Sequence, residues 1–221
     1  METDEATAKD FARDGYVVLP EVMPAALRTQ MIADAARRRF APPHPKAGGA
    51  FAMAAMRGGG GAGPGVRWLR EAVRRAGLAV LDANEASYQR YEVDGNGLPP
   101  HRDQRYYASS IVIATLLGSA TFAIHGSSRP EDIVAEWTTE AGQVIILRGW
   151  TPHLSEDPRP YHRVDPPLRG PRLMFQLRHN LAATNDGPSG LSMLTAAEVE
   201  QATGLAAAMR RADAAAAGTL L

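Results

Sequence analysis

The chain has 221 residues, 45% of them hydrophobic, enough to bury one sizeable core and consistent with a single domain. Its 24 Lys and Arg balance 24 Asp and Glu, so there is no global basic field to draw in nucleic acid or an anionic membrane. The absence of cysteine excludes disulfides, thiolate metal sites and cysteine nucleophiles, and leaves histidine and carboxylate as metal donors, a set suited to iron, manganese, zinc or nickel.

The opening segment METDEATAKDFARDG is acidic and has no apolar signal core, and no run of about 18 apolar residues follows. A cytoplasmic protein with no membrane partner is expected. Residues 5–14 read as a short helix, and GYVVLP (15–20) as a strand bounded by Gly15 and Pro20. Residues 24–40 carry apolar side chains at helical spacing, with Pro24 in a first-turn position. The proline- and glycine-rich stretch 41–65 is expected to be a flexible loop, either an active-site flap or a disordered connection. Its RGGGGAGPG run lacks the Gly-Lys-Ser/Thr ending of a phosphate loop. VRWLREAVRRAG (66–77) predicts an amphipathic helix closed by Gly77, whose Arg67, Arg70, Arg74 and Arg75 read as a solvated face.

Beyond residue 86 the pattern changes to short β-type runs, at 87–93, 109–118, 120–126, 132–139, 143–149, 161–164 and 172–178. With 15–20 this makes about eight strands, not interleaved with helices, which argues for a sandwich or barrel. The expected organisation is one domain over 1–221. It comprises a helical part (1–85), a β core (86–180) and a C-terminal extension (181–221) that is polar, then alanine-rich, and carries no chemistry.

Six histidines are present: His44, His101, His125, His153, His162 and His179. In LPPHRDQRYY, His101 and Asp103 are two residues apart and in an extended segment point the same way. A histidine from a neighbouring strand would complete a two-histidine, one-carboxylate metal site. Taken alone the pair is as readily an ordinary polar loop, and the downstream sequence decides. HRVDPPLRGPRL places His162 ten residues before Arg172 across a Pro- and Gly-containing turn, predicting a hairpin with the two side by side on adjacent antiparallel strands. In RLMFQLR, alternation puts Arg172, Met174, Gln176 and Arg178 on one face and Leu173, Phe175 and Leu177 on the other. Two buried arginines need anions. A dicarboxylate co-substrate is one; solvent or an internal Asp or Glu is the other. His125 at a strand end is expected to hold no metal, and His44 and His179 have no assigned role.

Together Tyr91, His101-x-Asp103, His162-x-Val164-x-Pro166 and Gly170-x-Arg172 resemble the Fe(II)- and 2-oxoglutarate-dependent dioxygenase superfamily. HRVDPPLRGPR is similar to prolyl-hydroxylase-like members, RLMFQLR to AlkB-like members and FARDGYVVLPEVMPAAL to phytanoyl-CoA-dioxygenase-like members. The resemblance implies a mainly β fold with flanking α, a double-stranded β-helix (jelly roll) with N-terminal helices packed on it. It implies Fe(II) held by His101, Asp103 and His162, and 2-oxoglutarate anchored on Arg172. Tyr91, Gln89 and Arg178 would be further contacts to that co-substrate, with O2 as oxidant and ascorbate as a stimulant. Turnover would release succinate and CO2, and a carboxylate at Asp103 favours hydroxylation or desaturation over halogenation. A small-molecule or peptide-like substrate fits the neutral charge. The alternatives are AlkB-like demethylation of nucleic acid and a non-catalytic jelly-roll binder. His153, eleven residues after Gly142 in GQVIILRGWTPH, is the rival to His162 as distal ligand. Substrate identity and oligomeric state are not legible.

Overall fold

The computed structural model describes residues 2–42, 50–57, 63–78, 83–151 and 157–181. In chain order the elements are α1 (Glu2–Asp14), β1 (Tyr16–Val18), α2 (Ala25–Ala36), β2 (Ala52–Arg57), α3 (Pro64–Arg75), β3 (Glu85–Tyr91), β4 (Leu98–His101), β5 (Tyr107–Leu117), β6 (Ala120–His125), β7 (Ile133–Thr139), β8 (Val144–Arg148), β9 (Tyr161–Pro167) and β10 (Arg172–Asn180). The strands form a six-stranded sheet, β1-β8-β5-β10-β3-β2, and a four-stranded sheet, β4-β9-β6-β7. Every strand pair is antiparallel. The mainly β jelly-roll expectation, with helices packed on the sandwich, is met.

Strand alternation divides the large sheet into two faces. Leu173, Phe175 and Leu177 of β10, with Val112, Ala114 and Leu116 of β5, pack against Met31 of α2 and Leu69 and Val73 of α3. The opposite faces, including Met174, Ile111, Ile113, Ile145 and Leu147, meet Phe122, Ile124 and Val164 of the small sheet in a second apolar layer. On α3, Pro64 sits in the first turn, and Gly77 at φ 69 lies just beyond the C-terminal end. Its Arg74 and Arg75 are ion-paired with Glu71 and Glu21 on the surface, as a solvated face requires.

Two expectations need correction, and one strand was not anticipated. The stretch 41–65 is not wholly loop: 52–57 pairs along β3, with Ala54 opposite Tyr88 and its side chain 2% exposed. Small side chains at alternate positions let this edge strand lie close on the helical layer, whereas alanine's weak strand preference hid it. Residues 43–49 and 58–62 of the stretch lie outside the described residues. Residues 98–101 form a strand despite Pro99 and Pro100, which is feasible because β4 is an edge strand and a ladder N–H is dispensable there. Finally, β9 and β10 are not a hairpin. They belong to different sheets, His162 to the four-stranded one and Arg172 to the six-stranded one. The β9–β10 connection passes beside the β5–β6 connection; a Cβ on Gly118, at φ 75, would lie 2.6 Å from the Pro171 carbonyl. No helix among the described residues is long and apolar enough to cross a membrane.

Ala54→Asp would bury an unpaired carboxylate under the helices, and an unfolding free energy lower by about 3–5 kcal/mol is expected in urea denaturation. A loose flap at this position would tolerate the change with no shift in midpoint.

Candidate metal and anion site

β4 pairs with β9 so that His101 stands opposite His162. Their rings lie 4.3 Å apart between centroids, and Phe122 of β6 stacks on His162 at 5.7 Å with an interplanar angle of 9°. Asp103, two residues beyond the end of β4, brings its Oδ2 to 3.7 Å from His162 Nε2. One donor atom from each of His101, Asp103 and His162 falls within 4.8 Å of the others, a compact two-imidazole, one-carboxylate set. His101 Nδ1 lies 2.8 Å from the Pro99 carbonyl. A carbonyl only accepts, so the proton is on Nδ1 and the Nε2 lone pair is left for a ligand. Burial, reinforced by neighbouring His101, holds the His162 pKa down to about 4, and its imidazole is neutral at physiological pH. A neutral His162 imidazole is the form that a divalent cation requires.

Across the sandwich, Arg172 pairs in register with Tyr91 and is 0% exposed. One Nη donates to Thr115 Oγ1 at 3.1 Å, the other contacts Met174 Sδ at 3.3 Å, and the Nε has no partner. Burial pushes its pKa below the ordinary value, and among the described residues no carboxylate forms an ion pair with it. A buried cation with an unused N–H fits an anion that enters from outside. Tyr91 is buried beneath the guanidinium, 5.6 Å from ring centre to guanidinium carbon. Burial raises its hydroxyl pKa, which keeps it a donor, and it donates to Gln89 Oε1 at 3.3 Å. Gln89 in turn donates to Gln176 at 2.8 Å, so its amide is already engaged.

Arg178, on the same face of β10, differs. It is ion-paired with Glu85, which is 0% exposed, and stacks over Tyr107 at 4.2 Å. Burial lowers its pKa, but Glu85 together with Tyr107, Asp103 and Tyr106 outweighs burial and holds it above the ordinary value. Of the two anions expected for Arg178, co-substrate or internal acid, the structure shows the internal one. Glu85 and Thr115 were missed in the sequence. Glu85 shares parity with Ser87, Gln89 and Tyr91 on β3, and an acid there was the available signal. Thr115 had none, because it is one hydroxyl in an apolar run. His125 stays outside the cluster, its Nδ1 3.2 Å from the Arg129 carbonyl. His44 and the rival ligand His153 lie outside the described residues.

No family model matches the chain, and no curated protein sequence matches it. Solved structures do. OsALKBH1 superposes with a TM-score of 0.61 at 16% identity, over 75% of this chain and 98% of that one. A Pseudomonas putida prolyl-4-hydroxylase gives 0.56 at 17% identity, over 80% and 99%. An oxidoreductase of the 2OG-Fe(II) oxygenase family from Burkholderia pseudomallei gives 0.56 at 16%, over 80% and 90%. The fold is that of the 2OG-Fe(II) oxygenases. An oxygenase-type fold thus accompanies both the compact donor set and the unpaired arginine.

In the metal-free protein the low pKa of His162 sets a sign. Between about 4 and the unfolded value of 6.5 the unfolded chain binds the extra proton, so stability is full above the upper limit and falls with pH. Urea unfolding in chelator is expected to show a loss of roughly 3 kcal/mol from this residue between neutral pH and pH 4, absent in His162→Gln.

Proposed function

We propose that this protein is an Fe(II)- and 2-oxoglutarate-dependent oxygenase that hydroxylates an unactivated C–H bond of a small-molecule or amino-acid- or peptide-like substrate. One juxtaposition carries the reading: His101 and His162 of the small sheet, with Asp103 just beyond β4, form a compact donor set, while the large sheet of the same sandwich holds Arg172, buried and without an acid partner among the described residues. In this reading the three donors hold the iron. Arg172 takes the distal carboxylate of 2-oxoglutarate, and Tyr91 is a further hydrogen-bond donor. Bound Fe(II), with 2-oxoglutarate and O2, supplies the oxidising power for C–H cleavage, with succinate and CO2 released.

The chain's own residues prepare the site. His101 is fixed in one tautomer by the Pro99 carbonyl, and His162 is kept neutral by burial. Phe122, Ile124 and Val164 supply the apolar surroundings that strengthen the charge contacts of Arg172. Arg178 and Gln89, joined to Glu85 and to Gln176 and Tyr91, support the floor of the site. The neutral net charge and the pairing of Arg74 and Arg75 with surface acids favour a small or peptide-like substrate over nucleic acid.

Succinate formation from 2-oxoglutarate is the direct test, in the presence of O2, Fe(II) and ascorbate and again after chelation. Turnover that requires the metal is expected; none with any metal loading would sink the reading. Arg172→Met is expected to weaken 2-oxoglutarate binding about 100-fold by calorimetry on protein loaded with a redox-inert metal. Arg178→Met leaves Glu85 as an unpaired buried charge, so its expected effect is a loss of about 3–5 kcal/mol in urea unfolding. Co-substrate affinity per folded molecule is expected to remain near wild type.

A further inference from the structure

The residues flanking the three donors are tied together by side chains that metal binding alone does not explain. Arg159 lies two residues before β9 and is 5% exposed. Asp157 grips it from both sides, with Arg159 Nε donating to Oδ1 at 2.7 Å and Nη2 to Oδ2 at 2.5 Å. The remaining Nη1 donates to the main-chain carbonyl of Asp103. Arg102, between His101 and Asp103, donates from Nε to the Arg159 carbonyl at 2.7 Å. Its Nη1 is 3.5 Å from Asp157 Oδ2, and its guanidinium lies over the ring of Tyr161, the neighbour of His162, at 4.2 Å.

These contacts join the two segments that bring the donors together. β4 ends at His101, so the backbone of Asp103 has no place in the β4–β9 ladder. A carboxylate on a loop points only as reproducibly as its backbone is held, and this carbonyl needs a donor in place of a ladder partner. A guanidinium locked by a two-point carboxylate grip is such a donor, because its planar fork fixes the direction of the third N–H. We propose that Arg159, oriented by Asp157 and covered by Arg102, is a positioning residue that fixes the Asp103 backbone so that its carboxylate meets His101 and His162. The inference rests on the metal reading above and adds to it a residue that contacts neither metal nor co-substrate.

The test uses the full-length chain, stripped with chelator and titrated with Co(II), and follows visible absorption and the metal-induced rise in Tm. Arg159→Met is expected to weaken Co(II) binding about 10–100-fold and to alter the absorption of the bound ion. Asp157→Asn is expected to do so less, and the double variant no more than Arg159→Met, since Asp157 acts through Arg159. Thr139→Val is the control. It removes a buried side-chain bond to the Ala120 carbonyl, at the opposite end of β6 from the residue paired with His162. It is expected to lower Tm while leaving Co(II) affinity and spectrum unchanged. Wild-type affinity and spectrum in Arg159→Met overturn the proposal, as does a loss no larger than that of Thr139→Val. If Arg159→Met does not fold, Arg102→Leu and Asp157→Asn are read by the same criteria, and wild-type binding in both overturns it. Failure of the wild-type chain to bind Co(II) defeats the metal reading itself, and so is distinct from a failure of the clamp alone.

Discussion

A guanidinium buried without a carboxylate partner among the described residues is the constraint around which the sandwich is organised. Arg172 is fully enclosed, yet a hydroxyl, a thioether and a tyrosine ring are its close neighbours, and its Nε has no partner. Desolvating a cation costs several kcal/mol unless an anion or a full set of hydrogen bonds compensates. Such a side chain survives in a core only where the rest of the fold supports the cost. Two apolar layers flank it, one between the sheets and one beneath the helices. The cost of this partly unsatisfied cation is thus offset by packing elsewhere.

Arg178 shows what the same chain does when a buried arginine is structural. Six residues along β10 and on the same face, it has Glu85 as its counter-ion, and Asn180 and Tyr107 donate to that carboxylate. The contrast lies in the partners and not in burial, since both arginines are enclosed. Glu85 therefore does more than neutralise its neighbour. By engaging Arg178, it leaves Arg172 as the cation on this face of β10 with no ion pair among the described residues.

Much of this was legible in the sequence because strand parity is a local property. RLMFQLR separated Arg172 and Arg178 from Leu173, Phe175 and Leu177, and the structure shows the leucine and phenylalanine face to be the helical side. The HxD spacing placed His101 and Asp103 together for the same reason. Parity says nothing about which sheet a strand joins. The prolines and glycine of 166–170 signalled a reversal, and a reversal within one sheet has the same local chemistry as a crossing between two. Edge strands were lost for a related reason: Pro99 and Pro100 or a run of alanines argue against a central strand, while the edge is where those residues are allowed. Glu85 and Arg159 act through partners far away in sequence, so their roles required the fold.

The crossing also makes better chemical sense than the hairpin. Strand neighbours within a sheet stand about 4.8 Å apart, too close for a metal, a chelating dicarboxylate and a guanidinium to lie in line. Facing sheets are about 10 Å apart, a gap of the right order for that series. With His162 on β9 and Arg172 on β10, the proposed metal ligand and the proposed anchoring cation belong to different sheets. The span between them is then set by the packing of the sandwich and not by hydrogen bonds along a strand. Side chains between the sheets, among them Phe122, Met174 and Tyr91, act as spacers for that gap. The apolar core and the candidate site are for this reason one structure, and a change in the size of any spacer alters the distance between the donor set on one sheet and the guanidinium on the other.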